Sequence, residues 1–243
     1  LNPDKTKLIV YGSRQRLQNL PVIRLSVLGK ELTPVHVVKD LGVTFDSSLT
    51  FQEHIVKTVS SCCSSLAQIN RVKHVFDRST LITIINTLVF SKLFYCSSVW
   101  SSAAATNLLK LQAVQNFAAR IICGSRKFDH VTPLLKELHW LPIKSQLYFR
   151  DAVLAFKCMT GSAPTYLSSK FLTRGEVSGR ATRNSQLLHI PLYKSKSGQR
   201  TFFYRTVSLW NSLDNSLKLC DSPRNFKRKL RAKLFAAFLS LRS

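Results

Sequence analysis

Carboxylates are scarce in this chain: 12 Asp and Glu stand against 36 Lys and Arg, a formal net charge of +24 over 243 residues. Such a field attracts phosphate backbones or anionic lipid headgroups with little specificity, so a polyanionic partner is the default expectation. Cysteine is present but unpatterned. Cys62, Cys63, Cys96, Cys123, Cys158 and Cys220 form no Cys-x-x-Cys and no Cys/His cluster at zinc spacing, which argues against a zinc site and fits a reducing compartment. His36, His54, His74, His130, His139 and His189 show neither a nucleophile partner nor metal spacing, which argues against a Ser or Cys hydrolase. The uncharged run Ser79 to Ser91 is too short for a bilayer and contains Thr83, Asn86 and Thr87; no transmembrane helix and no signal peptide are expected. Met159 is the only methionine and the chain begins at Leu1, from which a fragment or a processed product is expected.

What is present is an apolar fraction of 45%, enough to bury a core and to rule out wholesale disorder. The stretch Lys39-Asp40-Leu41-Gly42-Val43-Thr44-Phe45-Asp46 marks a change of period. Before it, Val22-Ile23-Arg24-Leu25-Ser26-Val27-Leu28 alternates as a strand does, with a turn expected at Gly29-Lys30 and a further strand at Leu8 to Tyr11. After it, Thr50-Phe51-Gln52-Glu53 has the form of a capping box, and Ile55, Val59, Cys62, Leu66, Ile69 and Val72 line one helical face. Further helices are read from Leu81 to Tyr95 with Asp77 and Ser79 as N-caps, from Leu108 to Gly124, from Pro142 to Gly161, and from Pro164 to Phe171. Gly175 to Ser185 reads as an exposed loop, Leu187 to Pro191 as a short strand, Arg200 to Leu213 as a helix, and Ser222-Pro223 as the start of a last helix bearing Phe226, Leu230, Leu234, Ala237 and Leu241.

The basic excess is uneven: from Lys170 onward there are 16 basic and 3 acidic residues, more than half of the net charge. Arg180, Arg183, Lys194, Lys196, Arg200 and Arg205 lie among Tyr193, Phe202, Phe203, Tyr204 and Trp210, so these aromatics are either stacking platforms for single strands or, at helical spacing, core. Arg224, Lys227, Arg228, Lys229, Arg231 and Lys233 surround the apolar stripe of the last helix, as phosphate ligands, a solvated face or, third, a membrane anchor. Asp40 and Asp46 would hold a metal only if they converged; turn-forming and helix-leading roles are the preferred reading.

The order of short motifs resembles the C-terminal part of the reverse transcriptase of non-LTR, LINE-type retrotransposons of the jockey-like kind. The matching pieces are Leu1-Asn2 with Lys5-Thr6-Lys7, Lys39 to Val43 with Asp46, and Leu108 to Ile122 with Leu111-Gln112 and Gln115-Asn116. Leu138 to Ile143, Gly161 with Ala163-Pro164 and Tyr166-Leu167, and Ser208 to Leu213 ahead of Phe226-Lys227 complete the series. The resemblance implies an α+β, mainly α fold: residues 1–49 as palm remnant and hinge, 50–172 as a helical thumb-like region, 173–243 as a basic C-terminal extension. It implies RNA and DNA as partners through the phosphate backbone, contact with the remaining palm and fingers in a longer chain, and an intracellular place in cytoplasm or nucleus. Magnesium belongs to the intact family enzyme, and no cofactor is expected for this chain. The resemblance places Lys5 near the incoming nucleotide as a proton donor to pyrophosphate; the alternative is a solvated lysine beside a strand. The family's paired aspartates have no counterpart here, since no Asp-Asp occurs, so binding of template–primer without polymerisation is expected. The competing class is a non-enzymatic interaction or membrane-surface protein using the basic terminal helix.

Overall fold

The computed structural model describes residues 2, 4–179 and 183–240. The fold is α+β and mainly helical, with two small antiparallel sheets near the N-terminus. After a short helix α1 (Arg14–Gln18), β1 (Leu25–Val27) pairs with β2 (Lys30–Leu32), and β3 (Val37–Asp40) with β4 (Val43–Asp46). In each hairpin both loop residues have positive φ, Leu28 at 50° and Gly29 at 79°, Leu41 at 43° and Gly42 at 85°. That is the tight two-residue turn whose twist matches the flanking strands. The first turn thus falls one residue earlier than Gly29-Lys30. Leu8 makes only an isolated bridge to Pro34, so the strand expected from Leu8 to Tyr11 does not form.

The described chain divides into two compact units, Leu1–Cys96 with Ala103–Val114, and Ser97–Ser102 with Gln115–Ser243. In the first unit, α2 (Gln52–Val72) buries Ile55, Cys62, Leu66 and Ile69. The capping box does not form at its start. Phe51 occupies the N-cap at φ 56°, which leaves Thr50 one position too early. The cap comes instead from Asp46, whose carboxylate accepts from Ser48 N (3.2 Å), Thr50 N (3.0 Å), Thr50 Oγ1 (3.0 Å) and Phe51 N (2.7 Å). A second helical run comprises α3 (Arg78–Ile85), a π-helical turn (Asn86–Phe90) and α4 (Ser91–Leu93). Asp77 caps it by accepting from Ser79 N and Thr80 N. Leu81, Ile85, Val89 and Leu93 are buried while Leu88 and Tyr95 are exposed, so the run is amphipathic. α2 packs on the π turn and α4, where Cys62 Sγ lies 3.6 Å from the Val89 carbonyl oxygen.

The second unit opens with α5 (Ser97–Trp100); α6 (Ala105–Cys123) enters it from Gln115 onward. There follow α7 (Val131–Glu137), α8 (Ile143–Met159), α9 (Thr165–Ser168) and α10 (Arg174–Ser178), then α11 (Lys196–Gln199), α12 (Phe202–Ser212), α13 (Asn215–Lys218) and α14 (Pro223–Ser240). α8 is the hub, packed by α5, α9, α12 and α14. Phe156 on α8 is fully buried, stacked on Phe226 of α14 at 4.4 Å between ring centres and tilted against Trp210 of α12 at 6.3 Å. Between α7 and α8, Trp140, Leu141 and Ile143 are buried, Pro142 is the N-cap of α8, and Gln115 Nε2 donates to the Leu141 carbonyl (3.0 Å). The segment 187–191 is not a strand; it makes a single bridge, Thr173 to Leu188. Leu188 is held by Asn211, whose side chain accepts from Leu188 N and donates to Leu188 O, both at 2.9 Å.

Candidate nucleic-acid interface

α14 separates its chemistry cleanly. Phe226, Leu230 and Phe238 face the core, Leu234 is half-buried and Ala237 is exposed, so the buried stripe turns toward Phe238 along the helix. On the other side Arg224, Lys227, Arg228 and Lys229 are exposed and make no ion pair or side-chain hydrogen bond among the described residues. The first turn of α14 carries no acidic residue. Asp221, just before it, is held below the usual carboxylate range by hydrogen bonds from Asn225 and Ser222. Cations at a helix N-terminus oppose the helix dipole, and an anionic partner relieves both. The two remaining cations are engaged: Arg231 Nη2 donates to the His139 carbonyl (3.1 Å), and Lys233 pairs with Asp214.

The second basic group lies around α11. Lys194, Lys196 and Arg200 are exposed. Ser195 caps α11, and Gln199 Nε2 donates to the Tyr193 carbonyl (3.3 Å). Gly198 is required there: a Cβ on it would stand 2.8 Å from the Tyr193 ring. Tyr193 meets Tyr204 edge-on at 5.9 Å. Arg183 is exposed, and Arg180 lies outside the described residues.

Arg205 belongs to the interior of the unit. Its Nη1 pairs with Asp151 Oδ2 at 2.6 Å and donates to Ser101 Oγ at 2.8 Å, its Nη2 donates to the Ser98 carbonyl at 2.9 Å, and its Nε to the Arg200 carbonyl at 2.9 Å. Asp151 is buried, so the guanidinium is its compensating charge. The aromatics divide toward the core reading: Trp210 is buried, Phe203 packs edge-on against Phe171 at 5.1 Å, and Phe202 rests on the same cluster. Tyr193 alone among them is exposed.

The candidate acidic and catalytic residues stand apart. In the β3–β4 register Asp40 faces Val43 and Asp46 faces Val37, three rungs apart, about 10 Å by strand rise. Asp46 is committed to the start of α2, and among the described residues no group of three His, Cys, Asp or Glu converges. These side chains therefore do not fit a magnesium site. Lys5 is exposed in a turn, its N donating to the Asn2 carbonyl (3.2 Å).

Comparison of the sequence bears out the resemblance drawn from the motifs: the chain is similar to the RNA-directed DNA polymerases of mobile elements, the non-LTR retrotransposon class. It is 31% identical over 104 residues to the RNA-directed DNA polymerase from mobile element jockey of Drosophila funebris, a match covering 42% of this chain and 11% of that protein. A probable RNA-directed DNA polymerase from transposon X-element of Drosophila melanogaster is 26% identical over 106 residues, covering 42% of this chain and 12% of the relative. Neither a family model nor a solved structure matches the chain.

Proposed function

We propose that this chain grips the nucleic acid of an RNA-directed DNA polymerase by its phosphates, with little sequence preference and no part in the phosphoryl chemistry. The observation that carries this is the outer face of α14, where Arg224, Lys227, Arg228 and Lys229 stand exposed and unpaired above an apolar face that is already buried. Lysines and arginines so placed release counterions from a phosphate backbone without reading bases. Lys194, Lys196 and Arg200 extend the basic surface, with Tyr193 the one exposed aromatic of that stretch available for stacking. On this reading the two hairpins are the end of a palm and the helices after them a thumb and its extension. The polymerase activity for which the relatives are named supports the choice of nucleic acid over other polyanions. The membrane alternative needs an apolar face to enter the bilayer, and on α14 Phe226, Leu230 and Phe238 are occupied in the core.

The test is fluorescence anisotropy of the full chain with an RNA–DNA hybrid, single-stranded RNA and duplex DNA across a salt series. Binding is expected to all three, weakening steeply with salt. Replacing Arg224, Lys227 and Arg228 together by Gln is expected to flatten the log–log slope by about 2–3, close to one for each cation withdrawn from the phosphates. Affinity that ignores salt, or a slope the triple variant leaves unchanged, overturns the reading; binding to anionic vesicles without nucleic-acid affinity favours the membrane alternative.

A further inference from the structure

A cleft of about 470 Å³ opens in the first unit, a size that suits a small organic ligand. β3 contributes Lys39 and β4 contributes Thr44; α2 contributes His54, Lys57, Thr58 and Ser61; Lys92 and Tyr95 close it from the second helical run. Three lysines and four hydroxyls thus face one space, and no carboxylate lines it among the described residues. Lys57 is partly neutralised by Glu53, 2.5 Å away, whereas Lys39 and Lys92 form no ion pair among the described residues. Lys92 Nζ donates to Ser65 Oγ at 3.3 Å.

The walls are built rather than accidental. Tyr95 Oη donates to the Leu41 carbonyl at 3.0 Å and its ring lies against Gly42, where a Cβ would be only 3.0 Å from Tyr95 Cε1. The glycine therefore serves both the positive φ of the turn and the approach of the ring, and this contact sets Lys39 and Lys92 on one opening. His54 Nδ1 accepts from Thr44 N at 3.3 Å, and burial lowers its pKa, so the neutral ring carries its proton on Nε2 as a donor.

We propose that this cleft binds a phosphate dianion, the group carried by a terminal phosphomonoester or an oligophosphate, in preference to an internal phosphodiester. A phosphomonoester carries about two negative charges at neutral pH and three strong acceptor oxygens, which matches these two lysines and the hydroxyls of Thr44, Thr58 and Ser61, that of Tyr95 being committed to Leu41. A phosphodiester carries one charge and leaves one of the two lysines uncompensated. A free nucleotide, inorganic pyrophosphate and the phosphorylated end of a strand share this chemistry. The site is distinct from the α14 face and does not depend on it.

Calorimetry of the full chain with sodium pyrophosphate and with a nucleoside 5′-monophosphate reads the small ligands. Anisotropy with one short oligonucleotide, bearing either a 5′-phosphate or a 5′-hydroxyl, reads the strand end. We expect the phosphorylated end to bind about tenfold tighter. Lys39→Gln with Lys92→Gln is expected to erase that preference and the pyrophosphate heat. The charge-matched control, Lys227→Gln with Arg228→Gln, is expected to weaken both oligonucleotides alike and keep the preference. Lys39→Gln alone reports the same loss in part, should the double variant melt early. Absence of pyrophosphate and monophosphate binding together with equal affinity for the two ends overturns the proposal, as does a preference that survives in the Lys39/Lys92 variant. Failure of the α14 reading shows differently, as loss of general oligonucleotide affinity with pyrophosphate binding intact.

Discussion

Single carboxylates decide how the two long helical runs of the first unit begin. Asp46 supplies four hydrogen bonds where the chain leaves β4 for α2. Asp46→Ala is therefore expected to cost about 2 kcal/mol in urea unfolding, and Thr50→Ala, which removes one of the donors, less. Asp77 is an exposed cap whose carboxyl is brought down to about 2, chiefly by the hydrogen bond from the Ser79 hydroxyl and then by those from Thr80. Its folded pKa lies below the unfolded one, so its contribution is present above the ordinary carboxylate range and is lost as pH falls through about 2. Thermal midpoints of Asp77→Asn and the parent are expected to converge on acidification toward that pH. His54 acts in the same direction at higher pH. Burial lowers its folded pKa below 6.5, so its neutral form contributes fully above that value and stability declines as pH falls beneath it. His54→Gln is expected to flatten that decline in a pH series of melts.

At the scale of elements, the sequence predicted helices more accurately than the groups that start and hold them. The stripe Ile55, Cys62, Leu66, Ile69 is buried as its spacing implies, because a 3.6-residue period needs no knowledge of the partner. The capping box at Thr50 and Glu53 failed because its four-letter pattern cannot tell which residue takes the cap; the same pattern closes fully at Thr173 and Glu176, ahead of α10. Arg205 stood in the sequence among exposed cations, and only the fold brings it to Asp151, 54 residues away. Lys39, Lys57 and Lys92 are the converse: distant in sequence, unremarkable as candidates, and gathered by the hairpin and two helical runs. Asn211 within Ser208 to Leu213 was legible as a motif but not as a clamp on Leu188. Arg205→Ala leaves Asp151 buried without its partner, and we expect a loss of about 3 kcal/mol in denaturant unfolding while the salt slope of nucleic-acid binding is unchanged. A change in that slope without a change in stability would return Arg205 to the interface.

For the whole molecule, the exposed cations proposed to meet phosphate are separate from the core, whereas the Arg205–Asp151 pair belongs to it. The unpaired cations of α14 sit opposite Phe226 and Leu230, and Lys39, Lys57 and Lys92 of the first-unit cleft are exposed. Neutralising either set is expected to leave the far-ultraviolet circular dichroism and the melting temperature within error of the parent while binding falls; coincident loss of both would mean that the cations also support the fold. The π-helical turn at Asn86–Phe90 has a further consequence. Such a turn carries one more residue than α-helix would use over the same length, so everything after it is rotated by about 100° and shifted by about 1.5 Å relative to an unbroken helix. Lys92 and Tyr95 therefore face the hairpin because the turn absorbs the extra residue; the same sequence wound as unbroken α-helix would carry both round by that angle. Removing one residue there, such as the exposed Leu88, takes away the surplus and lets the run close as continuous α-helix with the lysine and the tyrosine where they stand. Removing two instead resets the helix's own reading frame and turns both away from the hairpin.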